Sequence, residues 1–126
     1  MIDALFNQPA YVGAKKALDA IELRQEAIAS NIANLETPGY RRLDVAPAFA
    51  SELERACAAG DPQQIAALKP QLVPDATATA GSRDGNTVHL ENELMQLNQN
   101  AVNNALQTQL VSSLLSRMRL AITGKP

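Results

Sequence analysis

Tryptophan is absent from this chain of 126 residues, and two Phe and two Tyr are its only aromatics. Any interior must be filled by Ala, Leu and other aliphatic side chains, which suits helix against helix better than a sheet sandwich. Cysteine and histidine occur once each, as Cys57 and His89, so no intramolecular disulfide can form and no second His is present to share a metal. A Gly-rich phosphate loop is missing, and no Ser, His and acid constellation has a workable spacing. Glu91 and Glu93 lie two apart and cannot form a carboxylate dyad on one helical face. An enzyme is not expected, and no catalytic, cofactor-binding or metal residue is assigned. No run of about 18 apolar residues predicts a membrane span. The start, Met1 to Asn7, lacks a basic n-region and an apolar h-region, so no standard secretory signal is expected. The net charge of −2 with scattered Lys and Arg gives no basic footprint for nucleic acid.

What is present begins with a helical seam. Tyr11, Ala14, Leu18, Ile21, Gln25, Ile28, Ile32 and Leu35 alternate by 3 and 4, predicting a helix from about Ala10 to Leu35. Pro38 pushes Thr37 out of the α region and ends it near Leu35 or Glu36. Thr37-Pro38-Gly39-Tyr40 then reads as a type II turn, with Pro at the second position and Gly at the third. Asn31 and Asn34 are poor helix formers placed three apart on the last turns.

The middle is punctuated by Pro47, Pro62, Pro70 and Pro74, with Gly60 and Gly81. Pro47 to Ala59 predicts a short helix with Phe49, Leu53 and Ala56 on one face and Gly60 as terminator. Asp61 and Pro62 predict the cap and first position of a second, ending by Leu68. Ala76 to Ser82 reads as loop, and this region is expected to be the most mobile. Arg41 and Arg42 read as a solvated pair, with salt bridging between subunits as the alternative, and Cys57 as a small packing residue.

Asp84-Gly85-Asn86 marks a tight turn, and Val88 and Leu90 alternate as in a short extended stretch. A second long helix follows, with Leu90, Leu94, Leu97, Ala101, Asn104, Thr108, Val111, Leu115, Met118 and Ile122 as its seam. Its length, about 50 Å at ~1.5 Å per residue, exceeds what a simple globule of this size holds. From Leu94 to Ser116 it carries no charge at all, and Gln96, Asn98, Gln99, Asn100, Asn103, Asn104, Gln107 and Gln109 take the place of surface Lys and Glu. Ala27 to Leu35 is also uncharged. Neutral amides can be buried when bonded, whereas an unpaired charge is far costlier, so neighbours are expected on several faces.

The run Ser30-Asn31-Ile32-Ala33-Asn34 followed by Thr37-Pro38-Gly39-Tyr40 resembles the amino-terminal signature of bacterial flagellar rod, hook and related axial proteins. Asp84-Gly85-Asn86-Thr87-Val88, with Leu90 and Glu93, resembles the segment before the last helix of the proximal rod, or FlgB, type. His89 departs from it, standing where that type is expected to have Asp. The resemblance implies an axial structural subunit exported without a cleaved signal by the flagellar type III apparatus. It would assemble in the periplasmic rod with copies of itself and other basal-body proteins. There it would link the membrane-ring and export-gate end to the rest of the rod and transmit torque. A soluble helical adaptor or secretion chaperone is the alternative.

The expected fold is all-α: long terminal helices packed as a coiled-coil-like hairpin around a loop-rich middle. Three segments are expected: 1–40, the first axial helix and its turn; 41–83, the variable middle; and 84–126, the second turn and helix. The expected assembly interface comprises Leu18, Ile21, Ile28, Asn31, Ile32, Asn34 and Leu35 on the first helix. On the second it comprises Leu94, Leu97, Ala101, Asn104, Val111, Leu115 and Met118. Turn residues are Thr37, Pro38, Gly39 and Tyr40, with Asp84, Gly85 and Asn86.

Overall fold

The computed structural model describes residues 2–125; Met1 and Pro126, the outer bounds of the first and last expected segments, lie outside them. The chain is mainly helical: α1 (Ile2–Phe6), α2 (Pro9–Ala33), β1 (Leu43–Val45), α3 (Ala48–Ala59), α4 (Pro62–Ala67), β2 (Leu72–Pro74) and α5 (Leu90–Thr123) follow in order. The residues group into two compact units, each drawing on all three expected segments.

One unit holds residues up to Asp19, then Pro47–Lys69, then Asn104 onward. Its buried apolar side chains are Ala14, Phe49, Ala56, Ile65 and Met118. α1 was not anticipated by the seam; Pro9, tolerated at a helix start, separates it from α2. The edge-on pair of Phe6 and Tyr11 bridges the break with ring centres 6.0 Å apart. α3 ends at Gly60, whose N–H caps Ala56 and Cys57 carbonyls. Asp61 then caps α4, its side chain accepting from Gln63 N at 2.9 Å. Both short helices follow the predicted punctuation. Cys57 does not follow its reading: its side chain is exposed, one residue beyond the buried face of Phe49 and Ala56. α2 nevertheless comes close there, since a Cβ on Gly13 would lie 2.7 Å from Cys57 Sγ.

The other unit holds Ala20–Ala46 and Pro70–Asn103. Here α2 and α5 run antiparallel: Asn31 bonds Glu93, and ten residues earlier the Ile21 carbonyl accepts from Asn100 Nδ2. A two-stranded antiparallel ribbon, missed in the sequence, pairs Leu43 with Pro74, Asp44 with Val73 and Val45 with Leu72. Ala46 N to Gln71 O and Asp75 N to Arg42 O, each 2.8 Å, prolong it. Strands of three residues carry too few alternations to register as a period-2 pattern. The expected extended alternation around Val88 is not a strand: Val88 is buried, while Leu90 already begins α5 and is exposed.

Candidate functional site

α2 ends at Ala33, slightly earlier than predicted, and the carbonyls of the turn that follows it are bonded by a residue far along the chain. Asn86, 3% exposed, donates from Nδ2 to the carbonyls of Asn34, Leu35 and Thr37 at 2.9, 3.0 and 2.8 Å. Its Oδ1 accepts Val88 N at 2.7 Å, which fixes the amide orientation. The helix's own last carbonyls, which lack partners within it, are taken by the chain leaving it: Ser30 O and Asn31 O accept Asn34 N, and Ile32 O accepts Leu35 N.

The Thr37–Tyr40 turn closes with Tyr40 N to Thr37 O at 3.2 Å. Gly39 takes φ +72, as the third position of a type II turn demands. Its N–H donates to Asp84 O at 2.8 Å, and Thr87 N donates to Tyr40 O at 3.1 Å. Arg42 N donates to Thr87 Oγ1 at 2.8 Å. The two turns found separately in the sequence are therefore zipped edge to edge.

Beneath them lies a buried polar junction. Asn31 has no exposed surface, and its Nδ2 donates to Leu43 O at 2.9 Å and Glu93 Oε2 at 3.2 Å. Its Oδ1 accepts Leu43 N at 2.9 Å and the Tyr40 hydroxyl at 3.3 Å. Both hydrogens and both lone pairs are used, which removes the helix-propensity puzzle: the residue is selected by its bonds. Asn34 is also satisfied within the chain, donating to Ser30 O and accepting from Thr37 Oγ1.

Arg42 corrects the reading of a solvated pair, because Arg41 is exposed but Arg42 is only 7% exposed. Its Nε donates to Glu93 Oε1 at 2.5 Å, and its Nη1 reaches Asp44 Oδ2 and Asp75 Oδ2 at 3.1 and 3.0 Å. Arg24 Nε adds a bond to Asp44 Oδ1 at 3.0 Å. Burial disfavours an ionised Asp44, but hydrogen bonds from Arg24, Arg42 and Val45 N–H outweigh it and hold the pKa below the ordinary value. Hydrogen bonding from Thr77 leads in depressing Asp75, with Arg42 assisting. For Arg42, desolvation opposes the charge, while Glu93 and Asp44 more than restore it and raise its pKa. Buried charges are tolerated in this manner only when paired and bonded. Glu93 looks in sequence like one of two acids at a helix start; nothing in spacing announces its partner 51 residues earlier.

The junction also fixes the rotation of α5. With Glu93 and Asn100 buried, the half-buried positions are Gln96, Leu97, Asn103, Gln107, Val111 and Leu114, with Ser113 half-buried off that face. The inward face is thus rich in amides, and Asn100 Oδ1 and Gln107 Oε1 are buried without partners. The expected seam falls on one flank. Leu94, Ala101, Asn104 and Leu115 are exposed, Leu97 and Val111 half-buried, and Met118 buried. On the other flank stand Met95, Val102, Leu106 and Leu110, all exposed, a stripe the sequence reading missed although its 7,4,4 spacing lies within the uncharged stretch. On α2, Leu18, Ile21 and Ile32 are half-buried, as is Leu35 just beyond its end, while Ile28 and Asn31 are enclosed.

Such a chain is a mainly helical structural protein: its polar cluster is closed and ion-paired, and its most accessible distinctive surface is apolar. Among the described residues no group of His, Cys, Asp and Glu is placed to hold a metal ion, and no helix is long and apolar enough to cross a membrane. The family described as "Flagella basal body rod protein" matches residues 14–41, the stretch from α2 through the turn. The flagellar basal body rod protein FlgB of Escherichia coli K12 is 36% identical over 118 residues, covering 81% of each chain. That of Borreliella burgdorferi is 31% identical over 109 residues, covering 72% of this chain and 78% of its own. The Salmonella typhimurium protein is 30% identical over 130 residues, covering 87% and 90%. The chain belongs to the FlgB family of flagellar basal-body rod proteins, whose members are structural subunits and not enzymes.

Proposed function

We propose that this chain is a proximal rod subunit that assembles in the periplasm, after type III export, by packing both flanks of α5 against neighbouring rod subunits. Contact with copies of itself and with other rod proteins would carry torque from the membrane-ring end. The observation that supports this reading most is the row of exposed Leu94, Met95, Val102, Leu106, Leu110 and Leu115 on a helix that carries no charge from Leu94 to Ser116. Exposed apolar area on this scale is costly in water and marks an interaction surface. A heterologous, repeating contact builds a filament.

In this reading the expected interface residues divide. Leu94, Leu97, Ala101, Asn104, Val111 and Leu115 would meet neighbours, with Leu18, Ile21, Ile32 and Leu35 contributing their exposed edges. Ile28, Asn31, Asn34 and Met118 would act from inside by holding the helices and the turn in place. The test is a strain lacking the native rod gene and supplied with Leu94→Lys or Leu115→Lys. Loss of swarming, with the variant still exported and folded, is the expected result. Wild-type swarming by both variants would defeat the proposal.

A further inference from the structure

We infer that Asp84 is a modification site, at which the main chain isomerises spontaneously through a succinimide to isoaspartate, and that the zip between the two turns is what keeps it as aspartate. Of the six glycines, Gly85 alone follows an Asp or Asn. The Asp84 side chain is exposed, so water reaches the position.

The reaction needs no reagent but water. The Gly85 nitrogen attacks Asp84 Cγ and a C–N bond forms, while the carboxyl O–H and the amide proton leave together as water. Water then opens the ring at the carbonyl attached to Cα. The chain now runs through Cβ, the former main-chain carbonyl is a free carboxylate, and no electron has been gained or lost. Glycine favours the attack because no Cβ crowds its nitrogen.

In the folded chain the attack is opposed at each point. Ring closure requires the peptide group between Asp84 and Gly85 to turn its nitrogen toward Cγ. That group is held at both ends: Asp84 O accepts Gly39 N at 2.8 Å, and Gly85 N donates to Ser82 O at 3.3 Å. Asp84 Oδ1 accepts the Ser82 hydroxyl and, at 3.1 Å, Asn86 N. The bond from Ser82, then that from Asn86, holds the Asp84 pKa below its ordinary value, and an ionised carboxylate is a poorer electrophile than the acid. All of these bonds lie within residues 82–86 except the one from Gly39. Protection is therefore complete only when the two turns are joined.

The product cannot rebuild the turn. An extra methylene enters the main chain where a Cβ on Gly85 would already lie 3.8 Å from Gly39 Cα. The carboxylate that accepts Asn86 N becomes backbone, and Asn86 loses its aim at the carbonyls of Asn34, Leu35 and Thr37. A chain left unzipped ages at this one peptide bond, and an aged chain cannot close the zip. The chemistry is independent of the α5 contacts proposed above, and swarming is not its readout.

Full-length protein held in urea at neutral pH should accumulate isoaspartate over days, placed at position 84 by electron-transfer fragmentation of the tryptic peptide from Asp84 to Arg117. The same peptide from isolated hook–basal bodies of the same age should carry less by about tenfold or more, because a joined site reacts only through its opened fraction. Releasing those basal bodies into urea should bring the rate up to that of the free chain. Asp84→Glu should stop the reaction at this position in urea, since the ring to be closed is one atom larger. Equal accumulation in urea and in basal bodies, continued protection after release, or no isoaspartate at position 84 in urea would each overturn the inference.

Discussion

Asn31 and Glu93 meet inside the protein: Asn31 Nδ2 donates to Glu93 Oε2 at 3.2 Å, and neither residue has exposed surface. That bond ties the last turn of α2 to the first turn of α5. It makes the amino-terminal motif and the start of the final helix parts of one object.

Arg42 is the residue on which this object depends. Arg42→Ala should cost about 3–5 kcal/mol, because Glu93 is left buried without its cation. Replacing both, as Arg42→Met with Glu93→Leu, should recover part of that loss, since Glu93 no longer sits buried without a cation, although Asn31 Nδ2, Asp44 and Asp75 each lose a partner. Urea midpoints of the wild type, the single variant and the double variant decide it. A double variant no more stable than Arg42→Ala would show that the cost lies elsewhere.

The paired turns make a second prediction. A Cβ on Gly39 meets nothing within 4 Å, yet its φ is +72, so Gly39→Ala should lose about 1–2 kcal/mol from backbone strain alone. Asn86→Ala should lose about 2 kcal/mol, because the Leu35 carbonyl loses its partner and those of Asn34 and Thr37 keep only Thr37 N and Tyr40 N. Amide exchange should rise around Val88 in Asn86→Ala, where the Asn86 Oδ1 acceptor is lost. Unchanged exchange there would show that water replaces the cap without loss.

Acid should weaken the junction. Asp44 and Asp75 have folded pKa values below their ordinary 3.8. The stability they supply is complete above the unfolded value and falls away as pH drops through the folded values. The loss should begin below about pH 5 and deepen toward pH 2. Asp44→Asn should be less stable than wild type at pH 7 and show a shallower acid limb. Parallel acid limbs in thermal melts of the two proteins would remove Asp44 from the account.

The long helices, both turns and the capped pieces α3 and α4 were legible because each rests on local chemistry: a 3,4 apolar spacing, Pro before a stop, Asp before Pro, Gly at a positive φ. The ribbon and the junction were not, because their partners are far apart in sequence. Arg42 reads as half of a surface pair until Asp75 and Glu93 are brought to it. The seam of α5 was found, but its rotation was not. Periodicity locates an apolar stripe without saying which side a buried ion pair will turn inward, and Glu93 turns the amides in and leaves the leucines on the flank. The enclosed Gln107 Oε1 is a mark of that priority.

The empty charge register of α5 has a consequence for the surroundings in which the protein works. Dissolved ions weaken contacts by screening charges, and between Leu94 and Ser116 there are none to screen. Salt should therefore not screen the attraction along that length, and salts that strengthen apolar burial should tighten it. Screening would reach only the charged ends of the helix, at Glu91 and Arg117.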